Sequence, residues 1–261
     1  HTRVWLSHPE QTSQATGAAG VVVGTRARAL ATDLKHRMGM SYEKVSETLN
    51  DAFGLKVTRS GWYQADQRLA QQARPVYEEL IQTLQVSTIV HADETGWRIG
   101  ALSAWLWVFT NQHITVYAIE QSRGHEVVLS ILGRNFKGVL VSDCFLAYDH
   151  HSLAEWLKHF CLSHLLADLK DMNETKTRGA VRFARDVTTL LKDALMLKIE
   201  KPALDQTIFA QRAAALETRL DALIDPKRCL SDPDNIRFAK RLSKHRQHIL
   251  RFLYIDDLDA T

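Results

Sequence analysis

Residues 89–97 read "IVHADETGW", an apolar entry through Ile89 and Val90 that runs straight into two adjacent acids, Asp93 and Glu94. With the residues before it, as "VSTIVHAD" (86–93), this stretch has the Val, Ile and Thr content of a strand. Two segments of the same character follow, "SAWLWVFTN" (103–111) and "ITVYAIE" (114–120), separated only by Gln112 and His113. Three successive strands joined by short turns make an antiparallel meander. The period then changes. "RGHEVVLSILGR" (123–134) has helical spacing through Val127, Val128, Ile131 and Leu132, and "GVLVSD" (138–143) is a continuous apolar run of the kind buried on both faces of a sheet. "KHFCLSH" (158–164) reads as one more short strand, passing into the helix "LLADLKDM". The predicted order is strand, strand, strand, helix, strand, helix, strand, helix, an α/β chain with a mixed sheet.

The flanks are helical. Residues 1–24 are polar, then small and Gly-rich, and read as a linker or frayed end. From 25 to 85 the pattern breaks into "TRARALATDLKHRMG", "SYEKVSETLNDAFG" with an N-cap at Ser41, and "TRSGWYQADQRLAQQ" with an N-cap at Thr58. Two short helices joined by "GLKVT" outline a helix-turn-helix. That reading puts Arg59, Ser60, Trp62, Tyr63 and Gln64 near a DNA groove or its phosphates, with a plain three-helix bundle and a core Trp62 as the alternative. Beyond Lys176 come three amphipathic segments, 181–199, 204–224 and 234–254. Between Arg178 and Arg251 they carry 16 Lys and Arg against 9 Asp and Glu, so their exposed faces suit a phosphate backbone or simply solvent.

Composition sets outer bounds. The chain has 261 residues, 45% hydrophobic and 24% charged, enough for one good core plus a second small domain. A formal charge of +3 permits nucleic acid as a partner without demanding it. Three irregularly spaced cysteines, Cys144, Cys161 and Cys229, do not form a disulfide framework and fit a reducing, intracellular setting. No apolar run approaches the roughly 20 residues of a membrane span, and no signal peptide is legible. A start at His1 rather than Met reads as a piece of a longer product.

Asp93 ends the first predicted strand and Asp143 the strand after the first helix. If those strands are neighbours, the two carboxylates arrive side by side, an arrangement suited to Mg²⁺ or Mn²⁺, which take hard oxygen ligands and keep much of their shell open to water and phosphate. Two such ions about 4 Å apart serve phosphodiester chemistry. A turn cap is the alternative for either acid alone. Glu94 faces away from Asp93 on a strand and has a supporting role, while His91 shares the Asp93 face. Cys161 and His164 form a C-x-x-H pair, with no second pair to complete a zinc site, and read as a structural pair or a flank of the site. Tyr148 and Trp97 are candidates for stacking or for core. Arg98, Arg123 and Lys158 are candidate phosphate contacts, with ordinary surface placement as the alternative.

The strand order with acids on the first and fourth strands resembles the ribonuclease H-like fold of DDE transposases and integrases. More narrowly, "VHADETGWRI", "WLWVFTN", "SRGHEVVLSILG", "FKGVLVSDCFLAYD" and "CLSHLLADLK", in order from about Leu84 to Met172, resemble the insertion sequence sixty-six family of bacterial transposases. The resemblance implies that Asp93, in "DET", and Asp143, in "VSD", are the first two members of a catalytic triad. It places the third, a Glu, after a helical insertion and hence beyond Thr261, with Asp256, Asp257 and Asp259 as loop acids. It also implies a layout of linker 1–24, helix-turn-helix-like region 25–85, catalytic core 86–175, helical insertion 176–254 and the start of a further catalytic segment at 255–261. The implied function is metal-dependent cleavage and strand transfer of an insertion sequence with two Mg²⁺ or Mn²⁺ ions. Its partners would be element ends, target DNA and further copies of the chain on paired ends, in the bacterial cytoplasm at the nucleoid. The alternatives are a nuclease of the same fold without strand transfer, or an inactive DNA-binding remnant.

Overall fold

The computed structural model describes residues 23–177 and 179–260, so most of the predicted linker and Thr261 lie outside the described residues. The chain divides after Glu78 into two compact units.

In the first unit, α1 (Thr25–His36), α2 (Tyr42–Phe53) and the start of α3 (Arg59–Gln85) follow the predicted signals. The Ser41 Oγ accepts from the Lys44 N–H at 3.2 Å, and the Thr58 Oγ1 accepts from the Gly61 N–H at 3.2 Å, satisfying donors that a helix start leaves open. Ala31, Val45, Leu49 and Trp62 form the core of this unit. Trp62 is 2% exposed, which corrects its assignment to DNA: the indole is the largest apolar group at the junction of α1, α2 and α3 and is spent on packing.

In the second unit, β1 (Ile89–Ile99), β2 (Leu102–Thr110), β3 (Thr115–Glu120), β4 (Val139–Ser142) and β5 (Leu157–Phe160) form one sheet in the order β3-β2-β1-β4-β5. The first three are antiparallel, while β4 is parallel to β1 and β5 to β4. This is the ribonuclease H-like order. Helix α4 (His125–Leu132) connects β3 to β4 and buries Val127, Val128, Ile131 and Leu132. β1 is longer than the predicted strand, because it continues past Asp93 as a hairpin with β2, turning at Gly100 with φ +61°. Asp93 therefore sits mid-strand, at the point where β1 loses its parallel neighbour: the pairing with β4 runs only through Ile89↔Val139, Val90↔Leu140 and His91↔Val141. Gly138 makes that pairing possible. A Cβ there would lie 2.3 Å from the Ser87 carbonyl oxygen and 2.8 Å from that of Thr88.

Two predicted features differ. The helix expected between β4 and β5 is a pair of 3₁₀ turns, Leu146–Asp149 and His151–Leu153. Polar side chains take main-chain donors there, Asp143 Oδ1 from the Phe145 N–H and His150 Nδ1 from the Ser152 N–H, which favours tight turns over a continuous helix. The third amphipathic segment after Lys176 is also broken. α5 (Leu162–Thr175), α6 (Ala180–Glu200) and α7 (Gln206–Ile224) are regular, but α8 (Pro233–Lys244) stops at His245 (φ −111°, ψ 19°) before the short α9 (Arg246–Ile249). The buried His245 ring turns to Asp149, with Nε2 3.2 Å from Oδ2. Val139, Val141 and Phe160 of the strands share one continuous core with α5–α9, ending at Leu258 and Ala260. The Ala260 carbonyl accepts from the Leu162 N–H at 2.7 Å, fixing the main chain beside the end of β5.

Candidate active site

Strand register relates the two carboxylates. Ile89 lies opposite Val139 and His91 opposite Val141, so the same offset of fifty carries Asp93 to the level of Asp143, two residues beyond the last paired position. Each acid uses one oxygen locally: Asp93 Oδ1 accepts from the Glu94 N–H and Asp143 Oδ1 from the Phe145 N–H, both at 2.9 Å. The Asp93 side chain is 53% exposed, and its Oδ2 lies 3.8 Å from His164 Nε2. His164 stands in the first turn of α5, whose N-cap is Cys161. The C-x-x-H pair thus flanks the acids from the end of β5.

Glu94, on the other face of β1, is enclosed. Its side chain is 1% exposed. Oε1 accepts from Arg123 Nε at 3.0 Å, with the Arg123 Nη2 at 2.9 Å, while Oε2 accepts from the Tyr148 hydroxyl at 2.7 Å. Arg123 lies between two rings, 3.7 Å from the Phe145 centroid and 4.3 Å from that of Trp105. Tyr148 is fully buried and meets Trp107 edge-on at 6.3 Å. Burial pushes the Glu94 carboxyl above the usual range; the Tyr148 and Arg123 bonds oppose this, and Asp143 adds to it. Burial, then Glu94, Asp143 and Asp93, hold the Tyr148 phenol far above its ordinary range, so it remains a neutral donor. The network ties β1 to the turn that follows Asp143, because Tyr148 and Phe145 both belong to that turn.

The other predicted residues are dispersed. Arg98 is exposed at the far end of β1, opposite Ser103 and roughly 16 Å along the strand from Asp93. Arg123 is committed to Glu94 and the two rings. Lys158 is 5% exposed on β5, and burial lowers its pKa, which corrects its placement as a phosphate contact: β5 is the edge strand of the sheet, but α9 packs against it through the His159–His248 bond and the side chain is enclosed. Arg59 is exposed at the first position of α3. His91 is half-buried below Asp93, and burial lowers its pKa against the opposing effect of Asp259. Trp97 is 44% exposed on the Asp93 face. Among the described residues no group of three or more His, Cys, Asp or Glu is placed to hold a metal ion.

The profile of the family described as Transposase IS66 family matches residues 20–261. The chain belongs to this family. No curated protein matches the sequence. Solved structures similar to the chain include the HTLV-2 integrase catalytic core domain in complex with magnesium, in its dimeric form (13% identity, 37% of this chain and 81% of that one, TM-score 0.24). Another is the simian T-cell lymphotropic virus intasome in complex with PP2A regulatory subunit B56 gamma (13% identity, 57% and 60%, TM-score 0.26). As an IS66-family member the chain is a DDE transposase. Around its paired acids, sequence reasoning missed Trp105 and Phe145, which clamp Arg123, and Asp149, which anchors His245 and Lys244. The only sequence signal for Phe145 is its position two residues after Asp143, within reach of that carboxylate as a turn.

Proposed function

We propose that Asp93 and Asp143 are the first two metal ligands of the transposase and that the chain cleaves and joins the DNA of an insertion sequence. The register of β1 on β4 supports this reading: continued two residues past its last pair it reaches Asp93 and Asp143, each with an oxygen not bonded to the main chain. The donor set fits Mg²⁺ or Mn²⁺: hard oxygens, partial exposure and room for retained water. When bound, two such ions make a water nucleophilic and stabilise the leaving oxygen. The chain's own residues fix the geometry. Glu94, through Tyr148 and Arg123, holds the Asp143 turn against β1, and His164 closes the flank of Asp93. The resemblance assigns the third carboxylate to a Glu after the helical insertion; Ala260, held at Leu162, is anchored at the same edge of the sheet. Water would attack a phosphodiester at the element end, and the freed 3′ hydroxyl would attack target DNA, with no covalent protein intermediate. The basic block 176–254 would hold phosphates, and two copies would act on paired ends.

Mn²⁺ titration followed by electron paramagnetic resonance tests the ligand assignment on residues 1–261 directly. Asp93→Asn and Asp143→Asn should each weaken Mn²⁺ binding at least tenfold, and unchanged affinity in both would overturn it. In protein that includes the third carboxylate, both variants should lose cleavage of element-end DNA at least a hundredfold. A precleaved end then separates a transposase, which joins it to target, from a plain nuclease, which does not.

A further inference from the structure

Helix α3 opens with a stripe that packing leaves unused. Trp62, Ala65 and Leu69 occupy its inner side, Trp62 and Ala65 being buried and Leu69 39% exposed. At the helical period of 3.6, the opposite side carries Ser60, Tyr63, Gln64, Gln67 and Gln71, all exposed, with Arg59 and Arg68 on its margins. These are side chains that donate and accept in the plane of a base edge, flanked by cations.

The charge distribution selects the occupant. From Arg59 to Tyr77 the helix contains a single acid, Asp66, and that acid is turned inward. Its carboxylate accepts from the Tyr42 hydroxyl at 2.7 Å and the Thr32 hydroxyl at 3.5 Å, and meets His36 Nε2 at 2.7 Å; its side chain is 18% exposed. The outward stripe is therefore free of negative charge over about five turns. The unit as a whole (23–78) has nine Lys and Arg against six Asp and Glu. Gln67 is also pre-set, because its Nε2 donates to the Tyr63 hydroxyl at 2.7 Å, which restricts the rotation of the exposed amide. A second protein surface would want an apolar anchor at the centre of such a stripe, and there is none but Tyr63.

We infer that the outward stripe of α3 enters the major groove of duplex DNA and reads sequence, with Gln64 and Gln67 on base edges and Arg59 and Arg68 on the flanking phosphates. Glutamine pairs bidentately with adenine N6 and N7, so the preferred sequence contains adenines at the positions these two residues meet. The inference goes beyond the cleavage chemistry and does not depend on the metal ligands.

The test is selection of bound duplexes from a random library by the full chain, carried out with Asp93→Asn so that binding is read apart from catalysis. Wild-type α3 should enrich one adenine-containing sequence. Gln64→Ala with Gln67→Ala should abolish that enrichment and weaken the selected duplex about tenfold or more, leaving affinity for random DNA within about twofold. Arg59→Ala should weaken all duplexes alike and lower the salt dependence by about one phosphate contact. All these positions are exposed, and unchanged circular dichroism melts confirm intact folding. Enrichment of the same sequence with the same affinity by the double variant would overturn the inference. So would a photo-crosslinking residue at position 64 that captures a second copy of the chain instead of DNA.

Discussion

Asp93 and Glu94 are adjacent in sequence and opposite in surroundings, 53% against 1% exposed at the side chain. The alternation of a strand is enough to predict that split, and a shared offset of fifty is enough to align Asp93 with Asp143. What no spacing rule conveys is which polar groups become buried. Trp62 and Lys158 were read as DNA contacts from their residue types, yet both lie inside, because type reports what a side chain can bind and not which neighbours close over it. Glu94 yields a prediction at this scale. Its carboxyl is raised, chiefly by burial, so just above the ordinary glutamate value the folded chain retains a proton that the unfolded chain has released. Stability from this group is present below the unfolded pKa and is lost as pH rises through the folded one. Glu94→Gln removes that dependence but also the ionic bond to Arg123, which is 37% exposed and so only partly shielded. Chemical denaturation near pH 7 should show a net loss of about 1–2 kcal/mol, and the variant's profile should be flatter above the ordinary glutamate range. An unaltered profile would exclude Glu94 as a titrating group.

Elements were legible where period and punctuation agreed. The meander, α4 and β4 have clean strand or helix patterns, and Ser41, Gly54 and Thr58 mark helix ends by donors and backbone angles that side chains alone determine. The β4–β5 connection and the break at His245 were not legible, since both depend on distant partners: His245 leaves the helical path to meet Asp149, nearly a hundred residues away. Gly138 is the element-scale position with the largest consequence, because it admits β4 alongside β1. Gly138→Ala puts a methyl group against two main-chain carbonyls that cannot swing aside. The expected cost is at least about 2 kcal/mol in urea denaturation, together with weaker Mn²⁺ binding as Asp143 loses its level with Asp93. Gly96→Ala, where an added Cβ meets nothing within 4 Å, is the matched control and should change neither. Equal stability of the two variants would mean that β4 tolerates a shift.

For the chain beyond Lys176, helical period announced apolar faces without saying what covers them; in the structure they share one core with β4 and β5. The join is marked by histidines. His159 of β5 is fully buried and donates from Nδ1 to the His248 carbonyl at 2.8 Å, and burial lowers its pKa to about 4. His248 is also lowered to about 4, first by burial and then by the positive charges of Arg251, Lys158 and His245. Both rings are neutral in the folded chain, whereas in the unfolded chain they take up protons near pH 6.5. As pH falls from about 6.5 to 4, the unfolded state binds more protons than the folded one, and stability is lost across that window. The loss is about 3 kcal/mol for His159 and less for the partly exposed His248. Thermal melts between pH 7 and 4.5 should therefore show a steep fall in midpoint. His248→Gln, which keeps a polar side chain but cannot titrate, should shallow that fall while matching the parent more closely at pH 4.5 than at pH 7. If the variant and parent curves run parallel, the histidines at this junction carry no share of the acid sensitivity, and carboxylates elsewhere must account for it.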